Sequence, residues 1–254
     1  MNLEGKRALV TGGGTGVGAA TCLELAKRGC SVVVNYSRSK DGANAAAAQA
    51  QEAGVKALAV QADVSQDAEC RRLVDTAVSE LGGLDVLVNN AGTTRFIQHE
   101  NLDDVTDEDW DQIIGVNLKG PFQCVRAAAK ALKEDGGGEI VNVSSVAGVY
   151  ATGSSIPYCA SKAALNNLTV TLARVMGPNV RVNAVAPGFI EGEWLKQGLG
   201  EAFEIAKAHF ADRSLLGRVS KPEDIAAAIL GFVEGSDMVT GQVVVTDGGV
   251  GIRG

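Results

Sequence analysis

Tyr158 and Lys162 stand four residues apart in "YCASK", just after Pro157, in a chain with only three tyrosines. On a helix that spacing puts the phenol and the ammonium on one face, a turn apart. A phenol titrates near ~10 in water and carries protons poorly at neutral pH. A neighbouring ammonium favours the phenolate and lowers that value, which would make Tyr158 a general acid/base. Upstream, "VNVSS" ends in Ser144 and Ser145. A hydroxyl there could hold a substrate oxygen as charge develops on it. Strand alternation turns the two serines to opposite faces, which favours Ser145.

A second feature is the glycine-rich run "TGGGTGVG", residues 11–18, directly after the apolar "RALV". Strand, glycine turn and helix together let backbone N–H groups and a helix N-terminus grip a pyrophosphate. No Lys-Ser/Thr follows the last glycine, so this is not a P-loop. At the end of the second apolar run the chain reads "NYSRSK". Tyr36 takes the position where a binder of unphosphorylated NAD carries an acid, and Ser37, Arg38 and Lys40 follow. A hydroxyl and a guanidinium suit a 2′-phosphate, so NADP(H) is favoured over NAD(H).

These residues need a frame. Apolar runs at 7–12, 31–36, 55–64, 84–92, 139–145, 180–188 and 241–249 alternate with helical stretches, the longest near 107–134 and 158–176. Continuously apolar strands alternating with helices predict a parallel seven-stranded sheet covered on both faces, an α/β fold. No linker, repeat or low-complexity tract interrupts it, so residues 1–254 read as one domain.

Composition narrows the function classes. The chain has 254 residues, 46% hydrophobic, and a formal net charge of −7, the wrong sign for nucleic acid or an anionic membrane surface. Five scattered cysteines without a CxxC pair fit free thiols in a reducing cytosol, and a cytoplasmic location is expected. No secretory leader and no apolar run long enough to span a bilayer are found. Only His99 and His209 exist, neither beside a GxSxG nor among clustered ligands, which disfavours serine hydrolysis and a metal site. The acidic run at 101–110 reads as a solvated loop and helix start.

Gly12, Gly16 and Gly18 form a TGxxxGxG pattern; "NNAG" (89–92), the YxxxK of Tyr158 and Lys162, and "VAPG" (185–188) follow in order. The chain thereby resembles the short-chain dehydrogenase/reductase family over essentially its whole length, including members of the 3-oxoacyl-[acyl-carrier-protein] reductase and glucose dehydrogenase types. The resemblance implies a Rossmann-type doubly wound fold. It implies a catalytic set of Asn117, Ser145, Tyr158 and Lys162, with Ser145 at the family's distance from the tyrosine. Lys162 would also hold the nicotinamide ribose, and Asn117 would anchor water relaying protons towards it. Cofactor contacts are implied for Gly12, Thr15, Gly16, Val17, Gly18, Ser37 and Arg38. Asp63 would accept from the adenine amino group, with Val64 against the ring; unaided, Asp63 reads as a helix-cap neighbour. Asn90, beside the ribose, reads equally as a residue fixing adjacent strands; Ala91 and Gly92 adjoin it. Pro187, Gly188 and Ile190 complete the set.

For the substrate, the resemblance implies a lid at about 189–216. Trp194, Leu195, Phe203 and Phe210 could cover the pocket, Val149 and Ile156 could line its far wall, and Arg95 and His99 could meet a polar group. The expected reaction moves hydride between NADP(H) and a small carbonyl or secondary alcohol. The alternative is 3-oxoacyl-[acyl-carrier-protein] reduction for fatty-acid synthesis. An acidic carrier wants cations near the pocket, yet "MGPN" (176–179) has no arginine and offers only nearby Lys130 and Lys133, so a free substrate is favoured. A non-catalytic dinucleotide sensor is disfavoured, because all four catalytic residue types are present. Pairing through the two long helices implies a homotetramer.

Overall fold

Valine- and leucine-rich runs without polar alternation form strands only where both faces are covered. In the computed structural model, which describes residues 1–134 and 136–253, seven such runs make one parallel sheet. They are β1 (Arg7–Val10), β2 (Ser31–Tyr36), β3 (Ala57–Gln61), β4 (Val86–Asn89), β5 (Gly138–Val143), β6 (Val180–Pro187) and β7 (Val243–Thr246). Their order is β3-β2-β1-β4-β5-β6-β7. The chain runs outward from β1 to β3, then returns to lay β4 beside β1. That reversal opens a crevice at the carboxyl ends of β1 and β4.

Period-two alternation supplies two cores. Val10, Val34 and Val88 face α1 (Gly16–Ala26), α2 (Lys40–Glu52) and α10 (Pro222–Glu234). Leu9, Val33 and Leu87 face α3 (Asp67–Leu81), α5 (Gly120–Lys133) and α7 (Ile156–Met176). Each such side chain, fully removed from water, contributes about 1.5–3 kcal/mol. The remaining helices are α4 (Asp107–Ile114), α6 (Ala147–Tyr150), α8 (Glu193–Leu199) and α9 (Phe203–Arg213).

Helix starts follow local chemistry. Thr106 and Asp109 form a reciprocal capping box on α4, which turns the acidic run into a helix start as expected. Ser155 caps α7 and accepts from the Tyr158 N–H at 3.4 Å, so the helix begins at Ile156, ahead of the predicted start. The predicted long helix over 107–134 is not continuous. Between α4 and α5 lies a π turn, Gly115–Lys119. Pro121 has no N–H to donate to the Asn117 carbonyl four residues earlier, so the α ladder breaks there.

All five cysteines are buried free thiols, with Cys70 and Cys124 Sγ atoms 3.7 Å apart between α3 and α5. No described helix is long and apolar enough to cross a membrane.

One buried charge clamps the starts of the strands. Asp85, 1% exposed, accepts from Lys6 Nζ (3.0 Å), Arg7 Nε (2.7 Å) and the Arg7 backbone N–H (3.0 Å). Burial alone would raise its carboxyl, but the bonds from Arg7 and Lys6 hold it below its ordinary value. Removing one partner of such a cluster strands the others. Asp85→Ala is expected to lower stability by about 3–5 kcal/mol in urea unfolding, with Asp85→Asn losing less.

Candidate active site

The crevice is held open by a stitch between two turns. Thr11 Oγ1 accepts from the N–H groups of Asn90 and Ala91, both at 3.0 Å. Asn90 Nδ2 in return donates to the carbonyls of Thr11 (3.0 Å) and Gly12 (2.9 Å). Gly12 has φ +61°, and a Cβ there would lie 2.9 Å from the Ala91 Cα. Any side chain at Gly18 would collide with the Gly12 carbonyl, so this glycine lets α1 pack on the turn. Asn90 thus fixes the strand ends, as its alternative reading has it, while still facing the crevice.

The crevice is a cavity of about 1940 Å³. Gly12, Thr15, Gly16 and Val17 line it beneath α1, Ser37 and Arg38 beyond β2, and Asp63 and Val64 beyond β3. Asn90, Ala91 and Gly92 line it beyond β4; Ser145, Tyr158 and Lys162 stand at its middle; Pro187, Gly188 and Ile190 lie beyond β6. Of the predicted set, only Gly18 and Asn117 lie behind this wall.

Tyr36 does not occupy an acid's position at the rim. Its ring is buried in the core between sheet and helices, and alternation hands the rim to Ser37 and Arg38. Among the described residues nothing hydrogen-bonds or ion-pairs with the Arg38 guanidinium, which faces the cavity. Asp63 caps the following turn by accepting from the Ser65 N–H (2.9 Å), while Val64 is pinned through its carbonyl by Gln123 Nε2 (2.8 Å). Such a cavity exceeds what a small ligand fills, about 300–1,000 Å³. Its size and the glycine cradle beneath α1 fit a dinucleotide.

At the centre, α7 presents Tyr158 and Lys162 on one face as predicted. Lys162 is 3% exposed, and its Nζ donates to the Val143 carbonyl at the end of β5 (2.8 Å). Nζ lies 5.7 Å from the centre of the Tyr158 ring. The Ser145 hydroxyl stands close enough to the Tyr158 phenol to favour its charged form. Ser144 turns away to Asn166 Oδ1 (2.5 Å), so alternation separates the serines as expected.

Asn117 is fully buried on the π turn. Its Oδ1 accepts from the Thr93 N–H (2.8 Å), and its Nδ2 donates to the Thr93 carbonyl (2.9 Å) and Ser161 Oγ (3.0 Å). This side chain therefore splints the loop after β4 to α7. Both its amide hydrogens are engaged by protein, so a water relay does not hang on them.

Burial dominates the ionisation of the pair. It pushes the Tyr158 phenol up to about 12 against the lowering effect of Ser145, and pushes Lys162 down to about 8. The expectation that Lys162 alone depresses the phenol is not met. The ammonium donates to the Val143 carbonyl, and desolvation penalises both charged forms.

Substrate-side residues separate less cleanly. Trp194, Leu195 and Phe210 line the cavity, but Phe203 turns inward onto Phe189, ring centres 5.8 Å apart. Val149 and Ile156 do not line it; Tyr150, Thr152 and Gly153 take their place. Arg95 is drawn to Asp109 (2.8 Å) and His99 lies beside Cys159 Sγ (3.9 Å), and neither lines the cavity. Phe96, Gln98, Phe189 and Arg213 line it unforeseen. They sit in loops or lid helices, where no periodicity marks a facing.

Comparison with known proteins agrees with this geometry. A family model described as short chain dehydrogenase matches residues 6–199. A Streptomyces violaceoruber protein assigned as ketoacyl reductase 2 of the granaticin polyketide synthase is 47% identical, covering 97% of this chain and 96% of its own. The 3-oxoacyl-[acyl-carrier-protein] reductase of Thermotoga maritima is 39% identical over 98% of this chain and 99% of its own. The crystal structure of a short-chain dehydrogenase from Burkholderia cenocepacia in complex with NADP superposes with a TM-score of 0.88 at 36% identity, covering 99% of this chain and 100% of that one. Matches of that extent run through every strand that floors the cavity and the helix that carries Tyr158. The chain belongs to the short-chain dehydrogenase/reductase family, oxidoreductases that interconvert carbonyl and CH–OH groups with NAD(P).

Proposed function

We propose that the protein is an NADP(H)-dependent carbonyl reductase in which Tyr158 is the proton donor. The single observation carrying this reading is the convergence of Ser145, Tyr158 and Lys162 at the middle of one cavity whose far rim bears Ser37 and Arg38. When bound, the nicotinamide supplies hydride in its reduced form and a positive charge in its oxidised form. Residues 12–17 would hold the pyrophosphate, Ser37 and Arg38 the 2′-phosphate, and Asp63 and Val64 the adenine. Ser145 would orient the substrate oxygen. Tyr158 would give its proton to that oxygen as the carbonyl is reduced, leaving a phenolate. Lys162, with a pKa of about 8, is still mostly protonated at pH 7 and offers the compensating charge. The reverse direction takes the proton from an alcohol.

The names of the compared relatives support a second reading, reduction of 3-oxoacyl thioesters on a carrier protein. Lys130 and Lys133 lie in the last turn of α5. That places them about 20–24 Å along the helix from Asn117 at the middle of the π turn. The free-substrate reading is therefore retained as the first. Trp110 on α4, Phe122 on α5 and Val175 on α7 are exposed apolar side chains. They support pairing of copies through these helices, as in a homotetramer.

Tyr158→Phe is expected to leave NADPH binding nearly unchanged, by fluorescence titration, while carbonyl reduction falls about 10²–10⁴-fold. Near-normal turnover would defeat the reading. Arg38→Ala is expected to weaken NADPH binding about tenfold or more with NADH little affected, since only the former carries the 2′-phosphate. Lys162 also makes a stability prediction. Its folded pKa of about 8 lies below its unfolded value of ~10.5. Between those pH values the unfolded chain holds the extra proton, so stability should rise as pH rises through the window. Thermal melts should show Lys162→Met gaining a few degrees over wild type near pH 7, losing that pH slope, and losing activity.

A further inference from the structure

Resting on the carbonyl-reductase reading above, we propose that the preferred substrate is a ketone carried on a flat ring system, recognised by aromatic side chains around Tyr158. The chain holds two tryptophans, three tyrosines and six phenylalanines. Six of these rings line the one cavity: Phe96, Tyr150, Tyr158, Phe189, Trp194 and Phe210. They are not there as core filler, because the largest fully buried side chains are all leucine or isoleucine.

Several of the rings keep faces open to the cavity. Trp194 is 50% exposed, Tyr150 39% and Phe210 36%, although each lines a concave site. The indole of Trp194 lies against the Tyr158 ring, with centres 6.2 Å apart and planes tilted 46°. Phe96 also packs against the indole at 5.9 Å and 59°, and Phe210 stacks on Phe189 at 5.2 Å. A substrate oxygen that reaches the Tyr158 hydroxyl therefore brings its carbon skeleton past Trp194. The contact is built in from the backbone. Gly198 on α8 lies under the Phe96 ring, and any Cβ there would run into that ring. A bare glycine thus lets Phe96 seat the helix that carries Trp194.

An acyl chain gains only apolar burial from such walls, which leucine would supply equally. A flat ring gains offset or edge-to-face contacts with quadrupolar partners as well. The chemistry therefore favours cyclic or aryl ketones over open-chain ones.

The test compares 1-tetralone with 2-decanone, ketones of equal carbon count, in NADPH oxidation by wild type, Trp194→Ala and Trp194→Phe. Wild type should favour 1-tetralone in kcat/KM by about tenfold or more, the equivalent of one or two aromatic contacts. Trp194→Ala should bring that ratio towards one, and Trp194→Phe should keep most of it. Equal or reversed preference in wild type, or a ratio unmoved in Trp194→Ala, overturns the ring preference while leaving carbonyl reduction standing. If wild type reduces no ketone, the function proposed above fails instead. Quenching of Trp194 fluorescence by 1-tetralone in NADP-loaded protein, with Trp194→Phe as the control for Trp110, then decides the question. Saturable quenching upholds ring recognition, and its absence overturns it.

Discussion

A lysine with almost no access to solvent, tied by one hydrogen bond to the last carbonyl of β5, is the constraint on which the site depends. Such a cation resists burial, and its depressed pKa records the cost. It can be held there only by a surround that cannot relax. The surround consists of β5 and β6 in register, α7 packed along β6, and the Asn117 splint that ties the loop after β4 to α7 through Ser161. Tyr158 shares the same desolvation and is driven the other way, towards neutrality. The protein therefore keeps a reluctant acid beside a reluctant cation. A positive charge brought next to the phenol would favour its ionised form.

The framework of this arrangement was legible because it rests on short-range rules. Apolar runs such as "LVN" and "IVNV" could only be buried strands, and the glycines at 12, 16 and 18 marked a strand-to-helix turn. The four-residue spacing of Tyr158 and Lys162 translated directly into a shared helix face. Alternation at Ser144 and Ser145 chose the serine that faces the phenol. What escaped depends on longer-range competition. A run of helix-forming residues over 107–134 hides the π turn, whose cause is Pro121 together with the need to turn Asn117 fully inward. Tyr36 could have stood at the cofactor rim, but a strand residue one position earlier faces the opposite side, and burial in the core won. The phenol's pKa was misjudged for a related reason. Spacing reports that an ammonium is near, but not that a carbonyl already holds it or how dry the pair is.

The two halves of the cavity differ in legibility because they are built differently. The cofactor half is made from the carboxyl ends of strands, where one residue's position follows from the register of its neighbours, and almost every expected contact lines it. The substrate half is made from α8, α9 and the loop after β4, whose orientation is set by a few ring contacts rather than by a ladder. There Phe203 and Phe210, both on α9, take opposite roles, one buried against Phe189 and one open to the cavity. Arg95 is captured by the Asp109 carboxylate that also caps α4, so a residue that could have met substrate instead fastens the loop. The same division lets one scaffold keep the Ser145, Tyr158 and Lys162 cluster while the lid around it changes. Exchanging Trp194 on α8 alters the cavity wall without touching the Val143 carbonyl, the Asn117 splint or the Thr11–Asn90 stitch. Each of those is held by hydrogen bonds to backbone that no lid side chain contributes.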